Sequence, residues 1–170
     1  MRWIVYILCS LLAFGCTSTK KADSQSFTPY YTPKYAQSFS IVTDSAGRKV
    51  LIVSNPYQSD KHFEQRIYLL EDGQLAPEGE VAVHTPAQKI SCLSSSHIAM
   101  LDILGRVDAI VGVSGKQYVM NEHVGGSEEV YDVGYDSNLD FERLISLNPD
   151  LVLMYGVSAE NSAVTGKLRE

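Results

Sequence analysis

Between Lys89 and Tyr155 short apolar runs alternate with capped amphipathic stretches. That alternation leaves few folds open. Lys89–Leu93 is a short apolar strand run. Ser94, Ser95 and Ser96 follow. His97–Leu104 then places apolar residues at 98, 101 and 104, with Met100 and Ile103 beside them, which is one face of a short helix. A serine of the 94–96 run caps its start, and Gly105 stops it. Ala109–Val113 reads as the next strand and Val130–Val133 as a shorter extended piece. Ser137 or Asn138 then caps a helix whose buried stripe is Phe141, Leu144, Ile145 and Leu147. Asp140 and Glu142 lie in its first turn, where the helix dipole favours negative charge. Asn148, Pro149 and Asp150 end that helix. Leu151–Tyr155 is a continuous apolar run, expected as a strand covered on both faces. Ser158 opens a further helix carrying Ala163, Val164 and Leu168. Such an order folds as a parallel sheet with helices on its faces. The expected class is α/β: a three-layer, Rossmann-like lobe with a mostly parallel sheet.

Upstream the period changes to that of β-structure. Phe39–Ser54 reads as a hairpin, with Asp44–Gly47 supplying the turn. Arg66–Leu70 is another strand, Glu71–Gly73 a turn, and Val81–Val83 its expected return. Residues 54–84 thus read as an inserted extra hairpin within an N-terminal β-hairpin region. At the start, Arg2 is followed by an apolar run from Trp3 to Phe14. A membrane-spanning helix needs about 20 residues, so this run has the length of a signal-peptide core instead. It closes on Gly15 and Cys16, which resembles a bacterial lipobox. The other reading is an ordinary secretory signal with an incidental cysteine. Residues 17–38 are polar and aperiodic, as expected of a disordered tether. The expected organisation is a lipoprotein signal over 1–16 with lipidation at Cys16, the tether over 17–38, and one folded lobe over 39–170.

Composition excludes some functions. Among 170 residues, 20 are acidic and 14 are Lys or Arg, a formal charge of −6. That balance argues against binding nucleic acid by neutralising phosphates. The three cysteines are too few for a disulfide framework. Cys9 falls in the signal and Cys16 takes lipid, so Cys92 remains, a thiol among apolar neighbours and expected to be buried and structural. No G-x-S-x-G elbow, phosphate loop or H-E-x-x-H occurs, and Gly125-Gly126 lacks dinucleotide spacing. His62, His84, His97 and His123 show no metal-ligand spacing. No metal site, cofactor or enzymatic activity is expected.

Four stretches carry a family resemblance. Thr43–Val50 reads TDSAGRKV, against a pattern TDxxGRxV. Lys89–Gly105 reads KISCLSSSHIAMLDILG, against RIVSLxPSxTExLxALG. Asp108–Val113 reads DAIVGV, against DxIVGV. Val133–Leu153 reads VGYDSNLDFERLISLNPDLVL, against VGxxxxxNLExILxLKPDLVL. In this order the chain resembles the substrate-binding proteins of bacterial ABC importers for iron–siderophore, haem and cobalamin. Asn148 replaces the usual Lys, and Ser95 stands where many members have Pro. The family has two lobes joined by a long helix, so only the first lobe is expected within these 170 residues. The resemblance implies capture of an iron chelate, siderophore or haem, or of cobalamin. It implies delivery to a membrane permease served by ATPase subunits, on the periplasmic side of a membrane. It also implies that Glu142 is an exposed carboxylate that docks on permease arginine. The alternative for Glu142 is service to its own helix dipole. Two other functions stay open: a surface lipoprotein that does not transport, and a haem- or metal-handling enzyme.

Ligands of parallel α/β sheets sit beyond the carboxyl ends of the strands. By that rule the candidate ligand residues are Ser95, Ser96, His97, Lys116, Gln117, Tyr118, Tyr135 and Tyr155. The serines and the helix start offer hydroxyls and free N–H groups. The tyrosines offer flat apolar area with a polar tip. Capping alone for the serines, core packing for Tyr155, and a solvent-facing role for His97 are the competing readings.

Overall fold

A computed structural model of the chain describes residues 26–54, 63–135 and 138–155. Cys16, the signal, the helix expected after Ser158 and the alternative cap Ser137 lie outside these residues. Among the described residues no helix is long and apolar enough to cross a membrane.

Two sheets form. The first has five strands in sequential order: β1 (Thr28–Tyr31), β2 (Phe39–Thr43), β3 (Lys49–Ser54), β4 (Glu64–Leu70) and β5 (Val81–His84). The expected hairpin is β2–β3, paired antiparallel from Thr43–Lys49 to Phe39–Val53. Asp44 makes its turn. Its Oδ1 accepts the amides of Ala46 and Arg48, each at 2.9 Å. Its Oδ2 takes the Arg48 guanidinium, Nε at 2.8 Å and Nη2 at 2.6 Å. The residue is only 6% exposed. Burial alone would raise its carboxyl, but the Arg48 side chain and the two amides outweigh burial and hold it below its ordinary value of 3.8.

Two upstream expectations are revised. Thr28–Tyr31, within the span expected as tether, is an exposed edge strand paired with β2. It needs no apolar alternation, because an edge strand that buries neither face is held by its ladder. The inserted hairpin is not a hairpin either. β5 runs parallel to β4, with Ile67 opposite Val81 and Leu70 opposite His84. Residues 71–80 carry the chain back along the strand before it pairs. Turn residues at Glu71–Gly73 signal a reversal, but not how soon the next strand starts.

Cross-strand partners share a face, so the ladders sort this sheet's side chains. One face holds Val42, Val50, Ile52, Tyr68 and Leu70. They form a small core with Phe27 and Ala76, in which Val50 and Tyr68 are fully buried. The other face holds Thr28, Tyr31, Phe39, Ile41, Thr43, Lys49, Leu51, Val53, Gln65, Ile67, Leu69, Val81 and Val83. None of these is buried.

The second sheet is wholly parallel. It comprises β6 (Ile90–Cys92), β7 (Ile110–Val113), β8 (Tyr131–Asp132) and β9 (Leu151–Leu153) in the order β8-β7-β6-β9. Helix α1 (Ser95–Ile103) joins β6 to β7. The short α2 (Glu122–Gly125) lies between β7 and β8, and α3 (Phe141–Ser146) precedes β9. Ile98 and Leu101 of α1 and Val124 of α2 join Ile90, Cys92, Ile110 and Val113 in the main core. Ser91 points to the opposite face. There a Cβ on Gly112 would lie 2.9 Å from both Ser91 Oγ and Leu147 Cδ1. Gly112 therefore lets the end of α3 approach the sheet. Helical residues cover both faces, which is the expected three-layer α/β lobe.

The helices are narrower than their periodicity suggests. In α1 only Ile98 and Leu101 are buried, and Met100, Ile103 and Leu104 are exposed. In α3 only Leu144 is buried, and Ile145 is exposed. Neither Asn138 nor a first-turn role for Asp140 matches the start of α3. Asp140 is itself the cap, its Oδ1 accepting the Arg143 amide at 2.9 Å. Helix α2 was not expected; its signal is Asn121, whose Oδ1 accepts the Val124 amide at 3.2 Å.

Replacing Asp44 tests the hairpin. Asp44→Asn leaves Arg48 without its counter-charge and should cost about 1–3 kcal/mol at neutral pH. A carboxyl depressed in the folded state contributes stability above its unfolded value and loses it as pH falls through the folded value. Urea midpoints of the wild type and Asp44→Asn should therefore differ at pH 7 and converge as the pH falls through the depressed folded-state value of Asp44.

Candidate functional site

The order β8-β7-β6-β9 corresponds to 3-2-1-4 in strand sequence, so β6 and β9 flank the point where the winding reverses. All four strands are parallel, so their carboxyl ends lie along one edge. Leu93 N donates to Leu153 O at 2.8 Å, Ser114 N to Cys92 O at 3.1 Å and Val133 N to Val113 O at 2.9 Å. Those bonds carry the ladders one residue past the strands. The loops starting at Leu93, Ser114, Val133 and Met154 leave from that edge, and every candidate ligand residue is on one of them or in the first turn of α1.

Beside β6, Ser94 caps α1, its Oγ accepting the Ser96 amide at 3.3 Å. Ser95 and Ser96 are exposed. His97 is half-buried, and its amide donates to Ser94 O at 3.1 Å. Its Nδ1 is buried and finds no hydrogen-bond partner among the described residues. Such a nitrogen calls for a water or a ligand atom.

Beyond β7, Gly115 is left-handed at φ 60°. A Cβ there would meet Tyr135 Cδ2 at 2.8 Å and Tyr118 Cδ2 at 3.0 Å. The two rings flank this bare backbone and contact each other edge to face, with centroids 5.6 Å apart. Asp132 fixes the loops that carry them. Its Oδ1 accepts the amides of Gly115 at 3.1 Å and Gly134 at 3.0 Å, and Gly115 N also donates to Gly134 O at 3.0 Å. Tyr118 and Tyr135 remain 63% and 59% exposed, so this edge presents their rings to solvent. Gln117 is exposed beside them.

Lys116 sits differently from its neighbours. Its Nζ donates to Ser127 O at 2.5 Å and Val130 O at 2.7 Å. The ammonium ties the loop before β8 to the loop after β7. Tyr155, after β9, is 63% exposed and engaged in a further contact. Glu142 is exposed in the first turn of α3. Asp132 is the residue that sequence reading missed, although an acid directly before Val133-Gly134 at a strand end was its signal.

The edge holds no activated nucleophile among the groups described. Cys92 is fully buried, and burial pushes its thiol up to about 11. At the opposite edge, ahead of β6 and β9, a cleft of about 800 Å³ opens between Glu71, His84, Lys89 and Asp150. Two of its carboxylates are engaged. Glu71 pairs with Lys49 at 2.6 Å, and Asp150 Oδ2 accepts the amides of Gln88 at 2.7 Å and Lys89 at 2.9 Å. Those two amides hold the Asp150 carboxyl below its ordinary value. The cleft is a seam between the two sheets, away from the carboxyl edge of the parallel one.

Residues 90–159 match the periplasmic binding protein family. The matched stretch opens on the first residue of β6 and leaves the five-stranded sheet outside it. It contains Ser95, Ser96, His97, Lys116, Gln117, Tyr118, Tyr135, Glu142 and Tyr155. Among solved structures, the periplasmic vitamin B12 binding protein BtuF of Vibrio cholerae is similar at 22% identity and a TM-score of 0.39. The similarity covers 49% of this chain and 32% of that one, so the chain spans about a third of BtuF. No curated protein matches the chain.

Within the matched stretch, Gly115 tests whether the ring pair is held by the backbone. Gly115→Ala adds a Cβ into both rings and left-handed strain of about 1–2 kcal/mol. It should separate Tyr118 from Tyr135 and reduce near-UV tyrosine dichroism while far-UV dichroism persists. Unchanged near-UV bands would show that the rings do not depend on this glycine.

Proposed function

We propose that the chain is the first lobe of a substrate-binding component of an ABC importer. It takes an iron chelate or cobalamin at the carboxyl edge of its parallel sheet. The observation that carries this reading is the gathering of the α1 start, the Gly115–Tyr118 loop, Tyr135 and Tyr155 along one edge, beside the winding reversal, within the stretch that matches a family of binding proteins. The exposed groups there are hydroxyls, amides and tyrosine rings, while the one lysine of the set is bonded to carbonyls. Such an edge suits a ligand with a large, flat organic body better than a bare anion. Capture without turnover is the proposed role, in keeping with the match to a family of binding proteins. The protein stands on the periplasmic side of the membrane, held by lipid on Cys16. Glu142, exposed in the first turn of α3, docks on a permease whose ATPase subunits drive release. An exposed carboxylate of that kind adds orientation more than affinity.

Two experiments test this. Titration of the two-lobed protein with ferric siderophores, haem and cobalamin should give saturable binding of one of these ligands and no chemical change in it, while the first lobe alone should bind weakly or not at all. Tyr118→Ala should weaken that binding about tenfold, the equivalent of losing about 1.4 kcal/mol. Turnover of any of the three, or binding indifferent to Tyr118→Ala, overturns the assignment. Glu142→Ala should leave binding intact and abolish ligand uptake in cells. Equal uptake by Glu142→Ala and wild type would remove the docking role.

A further inference from the structure

The outer face of the five-stranded sheet is largely apolar, and none of its residues is buried. Ile41, Leu51, Ile67 and Leu69 form its centre and remain partly open to solvent, while the opposite face of the same strands buries Val50 and Tyr68 completely. Aromatic and aliphatic side chains extend it to both sides, with Phe39 38% and Val81 53% exposed. Five strands spaced about 4.8 Å apart make a patch about 20 Å wide. Single exposed apolar residues are ordinary, but a contiguous patch of this extent marks a contact surface.

Its charge pattern is unusual for this chain. Of the 20 acidic residues in the sequence, none lies on this face by the strand registers. Its one charged residue, Lys49, is ion-paired with Glu71 at 2.6 Å and lies 5.0 Å from the ring centroid of Tyr30. Lys34 beside Tyr35 adds a second cation near the β1–β2 corner. An apolar centre free of acids, bordered by tyrosines, Lys34 and the Lys49–Glu71 pair, has the composition of surfaces that sit at the lipid headgroup boundary.

Chain connectivity selects the occupant. Twelve residue steps separate Cys16 from Thr28, and they reach at most about 40 Å. A lipid on Cys16 would keep this sheet, the nearest part of the fold to the anchor, next to the bilayer at high effective concentration. The exposed apolar residues of α1 have no such tether close by in sequence. We infer that the outer face of the five-stranded sheet rests on the membrane surface. This inference relies on the anchor at Cys16 proposed above. It assigns a function to the sheet that lies outside the family-matched stretch.

The test uses the full lipid-bearing chain on vesicles of phosphatidylethanolamine with a minority of phosphatidylglycerol, with and without brominated acyl chains. Cleavage before Cys16 already removes Trp3, the single tryptophan of the sequence. Val81→Trp, Phe39→Trp and Ile103→Trp are then made one at a time, all at exposed positions. A side chain seated about 5–10 Å into the headgroup boundary is within reach of bromine, so Val81→Trp and Phe39→Trp should lose roughly half their emission or more. Ile103→Trp, on α1, should keep its emission. Equal quenching of all three, or of none, overturns the inference. So does shielding of Val81→Trp from acrylamide that grows with protein concentration without lipid, because that signals a second copy of the chain on this face. Flotation of the vesicles separates the two claims. Chains that float without quenching at 81 and 39 keep the anchor and lose the sheet contact, and chains that do not float lose both.

Discussion

The carboxylate of Asp150 sets the register on which the candidate site is built. It holds the amides of Gln88 and Lys89, while the amide of Asp150 donates back to Lys89 O at 2.9 Å. This exchange joins the starts of β6 and β9, neighbours in the sheet but separated by about sixty residues of chain. From it the ladder runs Ile90–Leu151, Ser91–Val152 and Cys92–Leu153. The two strands therefore end level, and the α1 start and Tyr155 leave the sheet side by side. A slip of one residue would exchange the faces of β9. The Pro-Asp pair after α3 does more than end a helix; it sets the alignment of the strand that follows.

The five-stranded sheet has its own hub, with similar logic. Asp44 collects two amides and a guanidinium within five residues of chain, and Arg48 reaches on to Leu75 O at 2.9 Å. The hairpin turn is thereby tied to the loop that carries the chain from β4 to β5. A short local motif controls a contact between distant segments. Both hubs are aspartates serving backbone amides, and both carboxyls are held low, that of Asp44 against burial by the Arg48 side chain and two amides, that of Asp150 by its two amides. Neither faces the carboxyl edge where ligand groups gather. Their role in the fold and the proposed binding chemistry are spatially separate.

Much of the parallel unit was legible because its signals are local. Ser94 before an apolar stripe, Gly105 after it, and the apolar runs of β6, β7 and β9 each point to one structure. The placement of the candidates on one edge then follows from parallel topology alone. What escaped depends on partners far along the chain. The direction of β5 is decided by how residues 71–80 run. The engagement of Lys116 depends on carbonyls of Ser127 and Val130, and no spacing announces that a lysine will serve carbonyls. The cap of α3 shifted because Asn138 and Asp140 are equally good cap types, and only the loop from Gly134 chooses between them. Helix α2 is a single turn, shorter than periodicity can detect. The stripes of α1 and α3 looked broader than they are because apolar residues outnumber the core positions a small lobe can provide.

The position of Lys116 bears on what the carboxyl edge can recognise. An exposed ammonium there would give the edge a fixed positive charge and favour small anions. Bonded to two carbonyls, it closes a loop and leaves recognition to neutral groups. Gly115 brings backbone between two tyrosine rings, and Asp132 holds the amides beneath them, so the ring positions are set by main-chain geometry. Tyrosine loses little conformational freedom on binding because it has few rotatable bonds. A ring pair already in contact has less still to lose. On the function proposed above, an edge built this way gains affinity from area and shape, and the exposed hydroxyls of Ser95 and Ser96 choose among ligands of similar shape.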